Sequence, residues 1–94
     1  MVRVIIERKV LQDKIPAYRL AVRSVRLDAM EQAGYISGET LRDVADPCRF
    51  VTLSTWNSRE AWEEWAASEE RRDSMTRLEA MLAGAEHITV LEPA

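Results

Sequence analysis

The stretch Arg49–Ser68 reads RFVTLSTWNSREAWEEWAAS, and it changes from a strand pattern to a helix pattern at Trp56. Up to that residue the side chains alternate between two faces of a predicted strand. One face carries Phe50, Thr52, Ser54 and Trp56, and the other carries Val51 and Leu53. Asn57 or Ser58 can then cap a helix, and Glu60 is the capping-box acid if Asn57 is the cap. The stretch therefore predicts a half-buried strand followed at once by an amphipathic helix.

Upstream of this stretch, the sequence predicts a helix with one strand before it and one strand after it. Val2–Val10 is rich in β-branched residues and predicts a strand. Pro16 suits the first turn of a helix, whose apolar stripe consists of Ile15, Tyr18, Ala21, Val22, Val25 and Ala29. That helix should end before Gly34. Tyr35–Arg42 is predicted as the second strand, in which Gly38 marks a bulge or the close approach of another group.

Downstream, the helix that starts at Ser58 is predicted in two segments, because its apolar stripe changes phase near Ser68. The charged run Glu69–Asp73 predicts a solvated helix face. Gly84 is expected to end the second segment, and His87–Glu92 is the final predicted strand. The order β-α-β-β-α-β predicts a ferredoxin-like α+β fold with a four-stranded antiparallel sheet. The 94 residues correspond to one domain, residues 1–94.

The apolar pattern of the strands favours a dimer. In a ferredoxin-like domain both helices cover one face of the sheet, so the other face should be polar. Here the opposite face carries Val51 and Leu53 in the third strand and Ile5 in the first. A chain of this size also buries only roughly 60–65% of its unfolded surface. We therefore predict a face-to-face homodimer, a dimeric α/β barrel in which two sheets share one interior.

Composition excludes several kinds of partner and cofactor. Thirteen basic and sixteen acidic residues give a net charge of −3, which argues against a nucleic-acid partner. The N-terminus has charges within its apolar run, so neither a signal peptide nor a membrane partner is predicted. One cysteine, Cys48, forms no internal disulfide and fits a cytoplasmic location. With His87 as the only histidine, no metal site is predicted.

The strand, the tryptophan, the cap and the aromatic helix together resemble the antibiotic biosynthesis monooxygenase domain, whose members are small dimeric α/β barrels. The resemblance implies a substrate pocket between the sheet and the helices. In the branch that oxidises polycyclic aromatic molecules without a cofactor, the pocket uses a Trp at the end of the third strand. An Asn stands four residues before it and a Tyr six residues after. The corresponding residues here are Trp56, Thr52 and Trp62.

A second branch of the same family degrades heme, and its residue set is poorly retained here. That set is an Asn on the first strand, a Trp on the helix and a His ten residues further on. The corresponding residues are Glu7, Trp65 and Met75. A thioether is a weak substitute for an axial histidine, so no heme cofactor is predicted, and no other cofactor is.

The resemblance therefore implies Trp56 and Glu7 as catalytic candidates. The substrate-binding candidates are Thr52, Trp62, Trp65 and Met75. Glu7 would face the pocket, where partial desolvation would raise its pKa and suit it to act as a general base. The alternative for Glu7 is an ion pair with Arg3 or Arg8. The alternative for the tryptophans is simple core packing, since each buries a large apolar area.

Two functions follow from these residues. The first is a cofactor-independent monooxygenase acting on a small aromatic, quinol-like molecule, whose deprotonated form supplies electrons to dioxygen. In such an enzyme the protein contributes a dry pocket and stabilises the developing anion. The second is a non-catalytic dimeric domain that binds a hydrophobic small ligand without turnover. The second is favoured by the loss of two of three residues from each catalytic set.

Overall fold

The protein is described by a computed structural model that covers residues 1–94. In chain order its elements are β1 (Val2–Lys9), a 3₁₀ turn (Gln12–Lys14), α1 (Ile15–Met30), β2 (Tyr35–Arg42), β3 (Arg49–Trp56), α2 (Arg59–Ala66), α3 (Glu69–Glu79) and β4 (His87–Leu91). The strands form one antiparallel sheet in the order β2-β3-β1-β4. The predicted ferredoxin-like α+β fold is confirmed.

The two faces of the sheet differ sharply in exposure. The central strands β1 and β3 pair along their whole length, with Val4 opposite Ser54 and Ile5 opposite Leu53. The face under the helices is buried and includes Val2, Val4, Ile6, Arg8, Phe50, Ser54 and Trp56. On the other face, Ile5 and Leu53 are only half-buried. A single chain thus leaves this second face without a cover, and the homodimer stays a prediction.

The first helix packs on the sheet with the stripe that the sequence predicts. Tyr18, Val22 and Val25 are buried, together with two alanines of the same stripe. The chain leaves α1 through Gly34, whose φ of 91° lies in the left-handed region. A Cβ at Gly34 would lie 2.5 Å from the Cβ of Ala61. Glycine is therefore required here by both the backbone conformation and the close approach of α2.

After β3 the chain forms two helices, α2 and α3. The break between them lies near Ser68, where the change in phase of the apolar stripe predicts it. Ser58, rather than Asn57, caps α2, because its Oγ accepts a hydrogen bond from the backbone N–H of Ala61 at 3.1 Å. The capping box built on Asn57 is therefore wrong. Ser68 caps α3 in the same way, accepting from the N–H of Arg71 at 3.1 Å. None of the helices is both long and apolar enough to cross a bilayer.

The end of α3 differs from the prediction. The helix stops at Glu79, well before Gly84. The residues that follow pair instead with the end of β1: the N–H of Ala83 donates to the carbonyl of Lys9 at 2.8 Å. Because this long-range backbone pairing competes with the helix for the same groups, it ends the helix earlier than the glycine would.

Candidate active site

A pocket lies between the helices and the buried face of the sheet. Its lining includes Arg8, Val22, Val25, Tyr35, Thr52, Trp56, Trp62, Trp65 and Arg71. Its volume is about 50 Å³, well below the roughly 300 Å³ of a typical small-molecule site. A fused-ring ligand can therefore enter only if side chains at the pocket move apart.

Trp56 forms the centre of the pocket wall. It ends β3 on the helix-facing side and is 1% exposed. Its ring makes edge-to-face contacts with Tyr35, at 5.3 Å between ring centroids, and with Trp62, at 5.8 Å. Its indole N–H donates to the Oγ of Ser54 at 3.2 Å. The ring is thus held by neighbours on several sides, and its only polar group is already satisfied inside the protein.

Three of the other residues predicted for the pocket, Thr52, Trp62 and Trp65, lie beside Trp56. Trp62 and Trp65 are separated by three positions on α2, so both project from one face of the helix, and both are buried. Thr52 is half-buried on β3, and its hydroxyl lies 3.2 Å from that of Thr40 on the neighbouring strand. The structure therefore brings Thr52, Trp56, Trp62 and Trp65 together around one cavity.

Arg8 is a buried cation in the pocket lining. It follows Val2, Val4 and Ile6 on the inner face of β1 and is 4% exposed. Its Nε donates to Glu86 Oε1 at 2.9 Å, and its Nη1 donates to the hydroxyl of Tyr18 at 3.3 Å. Its remaining nitrogen, Nη2, lies 3.7 Å from the sulfur of Met75, a weak acceptor.

Arg71 is a second buried cation and shares the same carboxylate. Its Nη2 donates to Glu86 Oε2 at 3.3 Å, and its guanidinium lies 5.8 Å from the ring centroid of Trp62. Two guanidinium groups thus share one carboxylate, and the cluster of Arg8, Arg71 and Glu86 carries a net positive charge. Because charge is costly to bury without a partner, this cluster favours an anion in the adjoining pocket.

Met75 does not line the pocket. It is 2% exposed and lies behind Arg8, so its sulfur faces a guanidinium rather than the cavity. Of the heme-degrading set, only the position of Trp65 is in the pocket, while the position of Glu7 is on the other face of the sheet. The residues present therefore do not fit that set.

The prediction that Glu7 faces the pocket is wrong. Its carboxylate lies on the face of the sheet away from the helices, where it pairs with Arg49 and lies 3.2 Å from Nδ1 of His87. The hydrogen bond from Arg49 lowers the pKa of Glu7, the opposite of the rise that a pocket-facing base requires. Glu7 forms an ion pair, as the alternative predicted, but with Arg49 rather than with Arg3 or Arg8.

Sequence reasoning missed the cationic part of the site. Arg8 continues the inward phase of β1, and a charge at an inward position is the signal that could have identified it. Arg71 lies four residues before Met75 and seven before Leu78, which places it on the buried stripe of α3. The prediction that the whole run Glu69–Asp73 is solvated is therefore wrong for Arg71.

Fold and pocket together define a small α+β protein with an aromatic, cation-lined cavity between its helices and its sheet. The family described as antibiotic biosynthesis monooxygenase matches residues 1–77. The chain belongs to this family, which confirms the resemblance seen in Phe50–Ser68. The match ends within α3, so Glu86 lies beyond it. A search of functionally curated proteins gave no match.

Several solved structures share this fold at low sequence identity. A conserved protein from Methanosarcina mazei superposes with a TM-score of 0.91 at 15% identity, covering 99% of this chain and 92% of its own. Rv0793 from Mycobacterium tuberculosis gives 0.86 at 20% identity, covering 99% and 94%. SnoaB from Streptomyces nogalater, described as a cofactor-independent oxygenase, gives 0.87 at 16% identity, covering 99% and 92%. These likenesses establish the fold.

Proposed function

We propose that the protein is a cofactor-independent monooxygenase that acts on a fused-ring phenol or quinol-like molecule. The observation that carries the proposal is that three tryptophans and three arginines line one cavity, and that two of the arginines, Arg8 and Arg71, are buried. Apolar aromatic walls suit a planar ring, and buried guanidinium groups suit the anion that such a ring becomes after deprotonation. Family membership and the fold shared with SnoaB support the same class of reaction.

The first step is deprotonation of the bound hydroxyl. The cluster of Arg8, Arg71 and Glu86 has a net positive charge, and its two arginines line the pocket. A cation beside a phenol stabilises the phenolate and lowers the pKa of that hydroxyl. The proton then passes to water at the pocket mouth, so that no carboxylate base is needed. This replaces the role first assigned to Glu7.

The second step is electron transfer from the phenolate to dioxygen, followed by formation of a carbon–oxygen bond at the position para to the hydroxyl. The resulting hydroperoxide loses water and leaves a quinone. For 1-naphthol the balance is one dioxygen consumed, one oxygen atom retained in 1,4-naphthoquinone and one released as water. The substrate supplies all the electrons. The tryptophans hold the ring and exclude water from the intermediate.

Isotope labelling tests this proposal. Incubation of the protein with 1-naphthol under ¹⁸O₂ should give 1,4-naphthoquinone with one labelled oxygen, above the rate without protein. Arg71→Gln leaves Arg8 paired with Glu86 and removes the net charge, so kcat/KM should fall about a hundredfold, as on loss of an oxyanion donor. Arg72→Gln is the matched control, because Arg72 is exposed and lies outside the pocket. Absence of label, or equal rates for both variants, would refute the mechanism.

The second candidate is a non-catalytic domain that binds a hydrophobic aromatic ligand. It is favoured by Thr52 and Trp62, which replace the Asn and Tyr of the cofactor-independent set. The indole N–H of Trp56 is also engaged with Ser54 and unavailable to a substrate in this state. This candidate requires binding of naphthol without oxygen uptake or label in the product. The labelling experiment therefore separates the two functions.

The protein is further proposed to act as a homodimer. On the sheet face away from the helices, Ile5 lies directly opposite Leu53, and Val51 lies on the same strand two residues before Leu53. All three are only half-buried in one chain. Covering them with the same face of a second copy would remove this apolar area from water and close the barrel. A reducing cytoplasm, which suits the free Cys48, is the proposed location.

A further inference from the structure

A groove lined by arginines lies between α1 and β2, beside the pocket. Arg19, Arg23 and Arg26 come from successive turns of α1, and Arg42 comes from the end of β2. The floor is formed by aromatic and apolar side chains, and no acidic residue lines the groove. Its volume of about 710 Å³ is far larger than that of the pocket. The groove is therefore a concentrated positive surface on a chain whose net charge is −3.

The four arginines of the groove are free of acidic partners. None of them takes part in an ion pair, whereas Arg8, Arg49, Arg59 and Arg71 each pair with a carboxylate. Arg19 instead lies over the ring of Phe50, 5.9 Å from its centroid. Like charges held along one groove repel each other, and an anion between them relieves that repulsion. Guanidinium groups also match carboxylate and phosphate oxygens in a two-pronged geometry.

The groove adjoins the pocket. Val22, Arg26 and Thr40 line both of them. A single small molecule can therefore place an aromatic ring among the tryptophans and an acidic substituent among the arginines. The buried cluster of Arg8, Arg71 and Glu86 is a separate feature, because none of its residues lines the groove.

We propose that the groove binds an acidic substituent, a carboxylate or a phosphate, on the aromatic molecule whose ring enters the pocket. Anion binding in the groove names a substrate class for the proposed function. It rests on that function only because the ring of the same molecule occupies the same pocket. The arginines are exposed, so each contact contributes modestly and is screened by salt. Their effect arises from four cations converging on one anionic group.

Binding of matched, redox-inert probes tests the proposal. Isothermal titration calorimetry would compare 2-naphthoate and 2-naphthyl phosphate with 2-naphthamide, which has the shape of the carboxylate but no charge. At low ionic strength the two anions should bind about tenfold more tightly than the amide. That preference should shrink as NaCl rises to 0.5 M, because the Debye length falls to about 4 Å. Whichever anion binds more tightly identifies the acidic group.

Paired variants separate the groove from general charge effects. The double variant Arg23→Gln, Arg42→Gln should weaken binding of the preferred anion about tenfold and leave binding of 2-naphthamide unchanged. The control Arg72→Gln, Arg77→Gln removes the same charge from exposed positions on α3, and it should change neither affinity. Thermal melts of both double variants would verify folding.

Three outcomes would overturn the proposal: equal affinity of the anions and the amide, equal losses in the two double variants, or no binding of any probe. None of the probes carries the hydroxyl that the oxygenation needs, so their binding is independent of turnover. Anion selectivity without ¹⁸O incorporation would reject the monooxygenase and retain the groove. Incorporation of ¹⁸O without anion selectivity would retain the monooxygenase and reject the groove as an anion site.

Discussion

Replacing Trp56 by phenylalanine decides whether this residue is a site residue or only part of the core. Trp56 is 1% exposed, and its N–H donates to Ser54 at 3.2 Å. Phenylalanine lacks two ring carbons of the indole, worth about 1.5 kcal/mol at about 0.8 kcal/mol per buried carbon. Loss of the hydrogen bond adds about 1 kcal/mol. Trp56→Phe should therefore lower the free energy of unfolding by about 2–3 kcal/mol.

Trp56→Phe should also weaken ligand binding by more than its loss of stability explains. Urea unfolding would measure the stability, and calorimetry with 2-naphthamide would measure the affinity. If the ring of Trp56 orients the ligand, affinity should fall about tenfold, because the phenyl ring leaves the ligand a less defined position. Val10→Ala is the matched control: Val10 is 1% exposed and lies outside the pocket lining, so it should cost about 2 kcal/mol and leave affinity unchanged.

A second variant separates the effect of the ring of Trp56 from the effect of its N–H group. Ser54→Ala keeps the ring of Trp56 and removes the acceptor of its N–H, so it should cost about 1 kcal/mol of stability. The ring of Trp56 keeps its contacts with Tyr35 and Trp62 in this variant, so affinity for 2-naphthamide should fall less than in Trp56→Phe. The reasoning is refuted if Trp56→Phe loses the expected stability but binds 2-naphthamide as the wild type does. Trp56 would then be core alone.

Four further predictions concern assembly, heme, the buried cluster and pH. Sedimentation equilibrium should report twice the chain mass of 10.8 kDa, and Leu53→Asp should dissociate or unfold the dimer because an unpaired charge is costly to bury; a monodisperse wild-type monomer would contradict this. Hemin should bind weakly, without reductant-driven loss of the Soret band, because the buried sulfur of Met75 does not face the pocket. Glu86→Gln should lower the free energy of unfolding by about 3 kcal/mol in urea, since it leaves two buried guanidinium groups without their carboxylate. The hydrogen bond from Arg49 lowers the pKa of Glu7 in the folded state. The ionised carboxylate therefore stabilises the fold above the ordinary carboxyl pKa of about 4, and this stabilisation is lost as pH falls further. Between pH 5 and 3 the urea midpoint of Glu7→Gln should thus depend less on pH than that of the wild type.

The local structure of this chain could be predicted closely because its signals are local. The alternation of Phe50 to Trp56 and the stripe of α1 are periodic patterns that each segment carries by itself. The break between α2 and α3 follows from a change of phase and a serine cap at Ser68. The helix end at Gly84 failed for the opposite reason, because backbone pairing with Lys9 ends the helix first.

The aromatic half of the candidate site was also accessible from the sequence. Trp56 ends a strand on its helix-facing side, and Trp62 and Trp65 lie on the adjacent helix at a spacing that places them on one face. Strand phase, helix phase and a short connection are sufficient to bring these three residues together. No long-range partner has to be known.

Only the tertiary structure decided which charged residues pair with each other. Arg8 and Glu86 are 78 positions apart, and Glu7 and Arg49 are 42 positions apart. Each of these charges had several possible partners in the sequence, and the choice depended on strand register and on which face each side chain occupied. Periodicity identifies the apolar residues that are removed from water, because burial requires only that a residue lie on the inner face. Ion pairs require one particular neighbour at hydrogen-bonding distance, and that neighbour is known only once the chain has folded.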